Sequence, residues 1–229
     1  MKRPNDAKAH FRPVPSPSAP VTAFVVAATT ALSTGCGTST GGEADAGMDA
    51  VSDASACYQV APGAFEGSKD VAGACAIRVE APPVMNALHI SVGKPLVCHS
   101  KPPSSGPHYP VWAKYRTHDK PVEPGYYVHN LEHGSIVFLH KCVAPDTCAD
   151  TVKALEAVVA SLPADPTCVP PIHARTLIVP DPNLETPIVA LAWGFIYRAD
   201  CVDAPSLVAF ANEHYAKGPE NLCADGQDF

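Results

Sequence analysis

The chain passes from a helical to an extended pattern within the stretch YYVHNLEHGSIVFLHK, residues 126–141. Residues 128–133 fit one helical turn, and Gly134 can end that turn because glycine takes the left-handed conformation without strain. The apolar, partly β-branched SIVFLHK that follows predicts a strand. A helical turn that continues at once into such a strand indicates a domain in which helices pack on a sheet.

The surrounding sequence extends this prediction to a whole domain. Helices are predicted over residues 146–162 and from Asp203 to just before Gly218, and the Pro/Gly-rich residues 100–124 predict a long ordered loop. Because strands and helices do not alternate regularly, we expect an α+β fold with a mostly antiparallel sheet and two helices. The further predicted strands are CAIRVEA (75–81), ALHISVG (87–93), KPLVCH (94–99), RTLIVP (175–180) and PIVALAWGFIYRA (187–199).

The first 35 residues have the layout of a secretory signal peptide. A basic, proline-rich start precedes VTAFVVAATTALSTGC (21–36). The apolar part of this segment is shorter than a typical membrane-spanning helix. Gly35-Cys36 resembles the lipobox of bacterial lipoproteins, although Ser33 stands where leucine is usual. This resemblance implies that Cys36 is lipidated; ordinary export with cleavage nearby is the alternative.

Residues 36–56 predict a flexible acidic tether, because they are rich in Gly, Ala, Ser, Thr and Asp and lack aromatic residues. A lipid followed by a tether would hold one globular domain, residues 57–229, at a membrane of the bacterial cell envelope, on the outer membrane or the periplasmic face. The formal net charge of −7, without a basic stripe, argues against nucleic acid as a partner. The sequence identifies no protein partner.

The chain has nine cysteines, and eight remain if Cys36 carries the lipid. An even number in an exported domain predicts a disulfide framework. Only Cys142 and Cys148 suggest a local pair, and thiolate metal ligation is disfavoured because no Cys-x-x-Cys occurs. The eight are Cys57, Cys75, Cys98, Cys142, Cys148, Cys168, Cys201 and Cys223.

His129 and His133 stand four residues apart, so on a helical turn both imidazoles would lie on one face and could share a metal ion. With Glu132 they also spell the His-x-x-Glu-His of inverted zinc peptidases, where the glutamate is the general base. Those enzymes carry the motif on a long helix, which Gly134 interrupts here. A turn held by hydrogen bonds alone is the alternative.

The segment KPPSSGPHYPVW, residues 101–112, predicts a stiff loop, since its prolines fix backbone angles and Gly106 permits a reversal. Such a loop would present His108 and Tyr109 in one orientation, as a ligand requires. A purely structural loop packed under aromatic side chains would have the same composition.

Four motifs together resemble a bacterial family, domain-of-unknown-function family 3105: PPSSGPHYPVWAKY (102–115), VHNLEHGSIVFLH (128–140), IVALAWGFIYRAD (188–200) and FANEHYAKGPE (210–220). The hallmark of that family is PPTSGPHYP followed by HNLEHG, with an AWG strand and a closing PE. Ser104 replaces threonine here, and His89 falls where the family pattern has a histidine. The resemblance covers residues 85–221; it implies a focus on His89, His108, His129, Glu132 and His133 and supplies no activity.

We therefore expect a metal site with His108, His129 and His133 as ligands, and with His89 or Glu132 as a fourth ligand or a supporting group. Asn130 and Tyr109, and Glu132 if it is not a ligand, would orient the ligands. Imidazoles without free thiolates suit Zn(II) or Cu(II).

Two alternatives to a simple metal-binding protein stay open. A metal-dependent hydrolase would use Glu132 to activate metal-bound water. A non-catalytic structural or partner-binding envelope module would need no metal. The sequence leaves open whether the chain is an enzyme.

Overall fold

A computed structural model of the chain describes residue 65, residues 68–142 and residues 145–229, without the side chains of residues 145–147. The predicted signal peptide, Cys36, the tether and Cys57 lie outside the described residues. The helices are α1 (Pro124–Glu132), α2 (Pro145–Ser161) and α3 (Ala204–His214). The strands are β1 (Lys69–Val71), β2 (Ile77–Glu80), β3 (Leu88–His89), β4 (Pro107–His108), β5 (Ile136–His140), β6 (Thr176–Pro180), β7 (Ile188–Ala192) and β8 (Phe195–Ala199).

The main sheet has six strands in the order β1-β2-β8-β7-β5-β6. The α+β class is correct, but the sheet is mixed rather than mostly antiparallel, because β5 and β6 pair in parallel. Parallel neighbours need a long crossover, and α2 lies in the connection between these two strands. A separate parallel pair joins β3 to β4.

Three local predictions need correction. KPLVCH (94–99) forms no strand in the described structure, and PIVALAWGFIYRA (187–199) forms two, because the chain reverses at Trp193 and Gly194 to make the β7–β8 hairpin. There are also three helices rather than two. The additional one is α1, a nine-residue helix with Pro124 in its first turn, where the missing N–H of proline costs no hydrogen bond.

Both faces of the main sheet are covered, which explains why β5, β6 and β7 are buried at every residue rather than at alternate ones. In β5, Phe138 packs with side chains of α2 and α3 in one cluster. Val137 and Leu139 face the other way and pack with Val128 and Leu131 of α1. The helix that carries the His-Asn-Leu-Glu-His motif is thereby fixed against the sheet by its own apolar residues.

Disulfides tie the periphery to this core. The structure pairs Cys142 with Cys148, as the sequence suggests, and also Cys75 with Cys201 and Cys168 with Cys223. Cys98 is disulfide-bonded as well. The Cys168–Cys223 bond fastens the last residues of the chain to the segment that precedes β6.

Candidate metal centre

Three separate elements bring four of the predicted site residues together: His89 from β3, His108 from β4, and His129 and Glu132 from α1. His89 and His108 are direct partners in the β3–β4 register. His129 and Glu132 are three residues apart on α1 and so share a face of the helix. Potential ligand atoms of all four residues lie within 4.8 Å of one another.

The cluster is centred on one carboxylate oxygen. Oε2 of Glu132 lies 2.9 Å from Nε2 of His108, 3.7 Å from Nε2 of His89 and 3.8 Å from Nε2 of His129. The side chains of His108, His129 and Glu132 are buried, whereas that of His89 is 53% exposed. The cluster therefore meets solvent on the side of His89.

Backbone carbonyls fix the orientation of two of the imidazoles. Nδ1 of His108 donates to the carbonyl of Gly106 at 2.9 Å, and Nδ1 of His129 donates to the carbonyl of Tyr109 at 2.6 Å. A carbonyl only accepts, so in a neutral ring the proton sits on Nδ1 and the lone pair of Nε2 points into the cluster. Tyr109, predicted to orient a ligand, acts here through its backbone oxygen.

Asn130 positions the loop around the site. Its side-chain nitrogen donates to the carbonyl of Ala113 at 2.8 Å, and its side-chain oxygen accepts from the Ala113 N–H at 3.0 Å. The N–H of Tyr109 donates to the carbonyl of Gly125 in the first turn of α1. The loop that carries His108 is thus fastened to the helix that carries His129 and Glu132.

Burial shifts the pKa values of the cluster so that its buried imidazoles are neutral and the charged form of the Glu132 carboxylate is disfavoured. Burial lowers the pKa of His108 and of His129, so both rings are mainly neutral at neutral pH. Burial raises the pKa of Glu132, and the nearby Glu220 carboxylate raises it further. A cation placed among these groups would stabilise the charged Glu132 carboxylate and would bind the neutral imidazoles through their Nε2 lone pairs.

His133 falls outside the four-residue ligand group, although its ring centre lies 4.6 Å from that of His129. It follows the last residue of α1, is buried, and its Nε2 lies 3.3 Å from Oε2 of Glu220. Burial and the nearby His129 lower the pKa of His133 to about 4. Glu132, His133 and Glu220 form a second group whose potential ligand atoms lie within 4.8 Å of one another.

Sequence reasoning missed Glu220 as a site residue. The only signal for it was the closing PE of the family pattern. The ring of Trp112 was also missed, and it lies 4.9 Å from the ring of His129 and 4.7 Å from that of His133, centre to centre.

A buried arginine fixes the end of α1. Nη1 of Arg175 donates to the carbonyl of His133 at 2.6 Å, and Nε donates to Oδ2 of Asp165 at 2.8 Å. Tyr215 also donates to Asp165, at 2.6 Å. Arg175 is 1% exposed, so this network locks the backbone at His133 without giving the site a solvent-facing charge.

These features define the protein as a disulfide-stabilised α+β domain that carries a three-histidine, one-carboxylate cluster beside helix α1, which covers one face of a mixed sheet. The sequence model of the family described as "Protein of unknown function (DUF3105)" matches residues 89–226, and the chain belongs to that family. This confirms the resemblance drawn from the sequence.

No curated protein and no solved structure shows a significant match to the chain. None of the helices in the described part of the chain has the length and apolar character needed to cross a membrane.

Proposed function

We propose that this chain is a metal-binding protein of the bacterial cell envelope, in which His89, His108, His129 and Glu132 hold one divalent transition-metal ion. The observation that carries the proposal is the convergence of three imidazole Nε2 atoms on one carboxylate oxygen, in a cluster where three of the four side chains are buried. Histidine and carboxylate are common ligands of such ions.

A proton alone satisfies this arrangement poorly. In the neutral state, His108 has one N–H, which goes to Gly106, and its Nε2 lone pair then faces Oε2 of Glu132 at 2.9 Å. A proton placed between these two atoms would relieve one contact and leave the Nε2 lone pair of His129 without a donor. A metal ion accepts electron pairs from all of these atoms at once.

The ligand set fits zinc, with Cu(II) as the second choice. Zn–N bonds are about 2.0–2.1 Å long, so ligand atoms around a tetrahedral zinc lie about 3.3–3.4 Å apart. The three distances from Glu132 Oε2, 2.9, 3.7 and 3.8 Å, lie on both sides of that value, and small side-chain adjustments would equalise them. The described cysteines are all disulfide-bonded, so none offers a competing thiolate.

The envelope location is proposed from the sequence. The signal-like residues 1–35, the lipobox-like Gly35-Cys36 and the acidic residues 36–56 support export and anchoring through a lipid on Cys36. Several disulfides in one domain are typical of proteins that fold in an oxidising compartment.

A metal-dependent hydrolase is the second candidate, and the exposure of His89 favours it. Catalytic zinc sites keep a coordination position open to water or substrate, and this cluster is accessible on the His89 side. In that case three histidines would hold the ion and Glu132 would act on the bound water. Loss of hydrolysis, but not of metal, in Glu132→Gln would distinguish this role from ligation.

The test is the metal content of the full chain, exported with its disulfides intact, purified in mild detergent without a histidine tag, and measured by plasma mass spectrometry. His89→Ala is the informative variant, because a half-exposed side chain can be removed without disturbing the core. His173→Ala, whose ring donates to the Leu162 carbonyl outside the cluster, is the matched control. Bound metal that His89→Ala reduces and His173→Ala retains supports the site. A wild-type chain that binds neither zinc nor copper refutes it and leaves a structural or partner-binding module.

A further inference from the structure

We infer that the centre is dinuclear: a second divalent ion binds between His133, Glu220 and Glu132, so that the Glu132 carboxylate bridges the two ions. This inference rests on the proposed metal-binding function. The observation behind it is that two of the ligand groups among the described residues, His89/His108/His129/Glu132 and Glu132/His133/Glu220, share Glu132. If a single ion is held by the first group, His133 and Glu220 bind no metal.

His133 is a buried imidazole with unused bonding capacity. Its side chain is 2% exposed, and its Nδ1 has no hydrogen-bond partner among the described residues. Its Nε2 lies 3.3 Å from Oε2 of Glu220. A proton on Nε2 would point toward this carboxylate, and a divalent cation between the two atoms could take the place of that proton.

Glu220 is held in place by the backbone, although its side chain is 54% exposed. Its N–H donates to the carbonyl of Glu132 at 2.9 Å, and the N–H of Ala216 donates to the carbonyl of Gly134 at 2.8 Å. These two bonds fasten residues 216–220 along the end of α1. The Glu220 carboxylate is therefore delivered to a fixed place beside Glu132 and His133.

Two glycines make this close approach possible. A Cβ at Gly218 would lie 2.2 Å from the carbonyl oxygen of Glu132, and a Cβ at Gly134 would lie 2.7 Å from Cα of Ala216. Gly134 also has a φ of +80°, which disfavours other residues. The two segments thus meet at a distance that only glycine permits, as expected of a site assembled from both.

The charges nearby are compatible with a second cation. Potential ligand oxygens of Glu132 and Glu220 lie within 4.8 Å of one another, so two carboxylates meet at this place. Arg175, whose Nη1 donates to the carbonyl of His133, is compensated by its 2.8 Å contact with Asp165. A bridging carboxylate is the usual device that lets two ions lie about 3.5–4 Å apart in two-metal sites.

The experiment is a Zn(II) titration of the full, disulfide-intact chain in competition with a chromophoric chelator, with stoichiometry checked by native mass spectrometry. We expect two equivalents for the wild type and one for Glu220→Gln. Glu213→Gln, an exposed glutamate nearby in the sequence, is the control and should retain two. Glu220→Gln alters an exposed side chain, and its circular dichroism should match that of the wild type.

A second readout addresses the bridge itself. When the chain is loaded with Co(II), a shared carboxylate couples the two ions magnetically. The electron paramagnetic resonance signal per cobalt should therefore be weaker in the wild type than in Glu220→Gln. One equivalent in both the wild type and Glu220→Gln would overturn the dinuclear site and leave the single-metal function intact. Zero equivalents in the wild type would overturn the proposed function itself.

Discussion

Replacing Asp165 by asparagine is expected to lower the free energy of unfolding by about 3–5 kcal/mol at pH 7, because it leaves the buried Arg175 guanidinium without its carboxylate. Asp165 accepts from Arg175 at 2.8 Å and from Tyr215 at 2.6 Å. Its side chain is 3% exposed, so little solvent screening reduces the effect.

The pH dependence of this loss follows from the pKa of Asp165. Burial raises that pKa, but hydrogen bonds from Thr167 and Tyr215, together with the Arg175 charge, lower it from 3.8 to about 2. At 1.36 kcal/mol per pKa unit, this shift corresponds to about 2–3 kcal/mol. Because the folded pKa is the lower one, this stabilisation is complete above about pH 5 and disappears as the pH falls toward 2.

Urea unfolding of wild type and Asp165→Asn, followed by tryptophan fluorescence from pH 7 down to pH 2, measures both quantities. Urea is uncharged and does not screen the ion pair. The two stabilities should converge by about 2–3 kcal/mol between pH 5 and pH 2. The control, Asp119→Asn, removes an exposed carboxylate and should stay within about 0.5 kcal/mol of wild type. A gap below about 1 kcal/mol at pH 7, or one that does not change with pH, would refute the reasoning.

Three further predictions concern the site and its frame. Gly218→Ala should lower the free energy of unfolding by about 1–3 kcal/mol, because the new Cβ meets the Glu132 carbonyl at 2.2 Å; unchanged urea denaturation would contradict this close approach. Asn130→Ala should cost about 2–4 kcal/mol, since it leaves the buried Ala113 N–H and carbonyl without their partners, and a loss below about 1 kcal/mol would show that water replaces them. Removing metal with a chelator should lower the melting temperature of the wild type and should hardly change that of His89→Ala. For zinc present at 100 times its Kd, the lost free energy of unfolding is about 2.7 kcal/mol. An equal chelator effect on both proteins would place the stabilising ion elsewhere.

The sequence predicted those strands and helices that depend on a short, local pattern of residues. Residues 136–140 and 176–180 are mostly apolar and partly β-branched, and they form β5 and β6. The helix predicted from Asp203 begins at Ala204, with Asp203 as the N-cap whose side chain accepts from the Ser206 N–H. The parallel pairing of β5 with β6 is not a local property, because the same strands would look alike in an antiparallel sheet. Helix α1 was underestimated because Pro124 and Gly125 suggest a loop, whereas packing of Val128 and Leu131 on the sheet stabilises the helix.

In the candidate site, too, the sequence indicates local spacing but does not indicate contacts between distant residues. The i, i+4 spacing predicts that His129 and His133 bind one ion together. In the structure their ring centres lie 4.6 Å apart, and Nε2 of His133 also lies 3.3 Å from Oε2 of Glu220, a neighbour that the spacing does not reveal. The parallel contact between two very short strands, which sets His89 next to His108, has no periodic pattern behind it. Glu220 reaches the site through backbone hydrogen bonds and a close approach at Gly218, and neither leaves a distinctive composition in the sequence.

For the proposed metal centre, the Cys168–Cys223 disulfide implies a requirement for oxidation during maturation. Cys223 lies three residues after Glu220, and its bond to Cys168 secures the final segment of the chain against the body of the domain. Until that bond forms, the final segment is held only by non-covalent contacts, such as the hydrogen bonds of Gln227 with Trp112 and Lys114, so the Glu220 carboxylate is placed less firmly beside α1. Under the proposed two-ion function, oxidative folding would precede full metal loading, and a chain produced in a reducing cytosol is expected to be purified with less metal even when its core is folded.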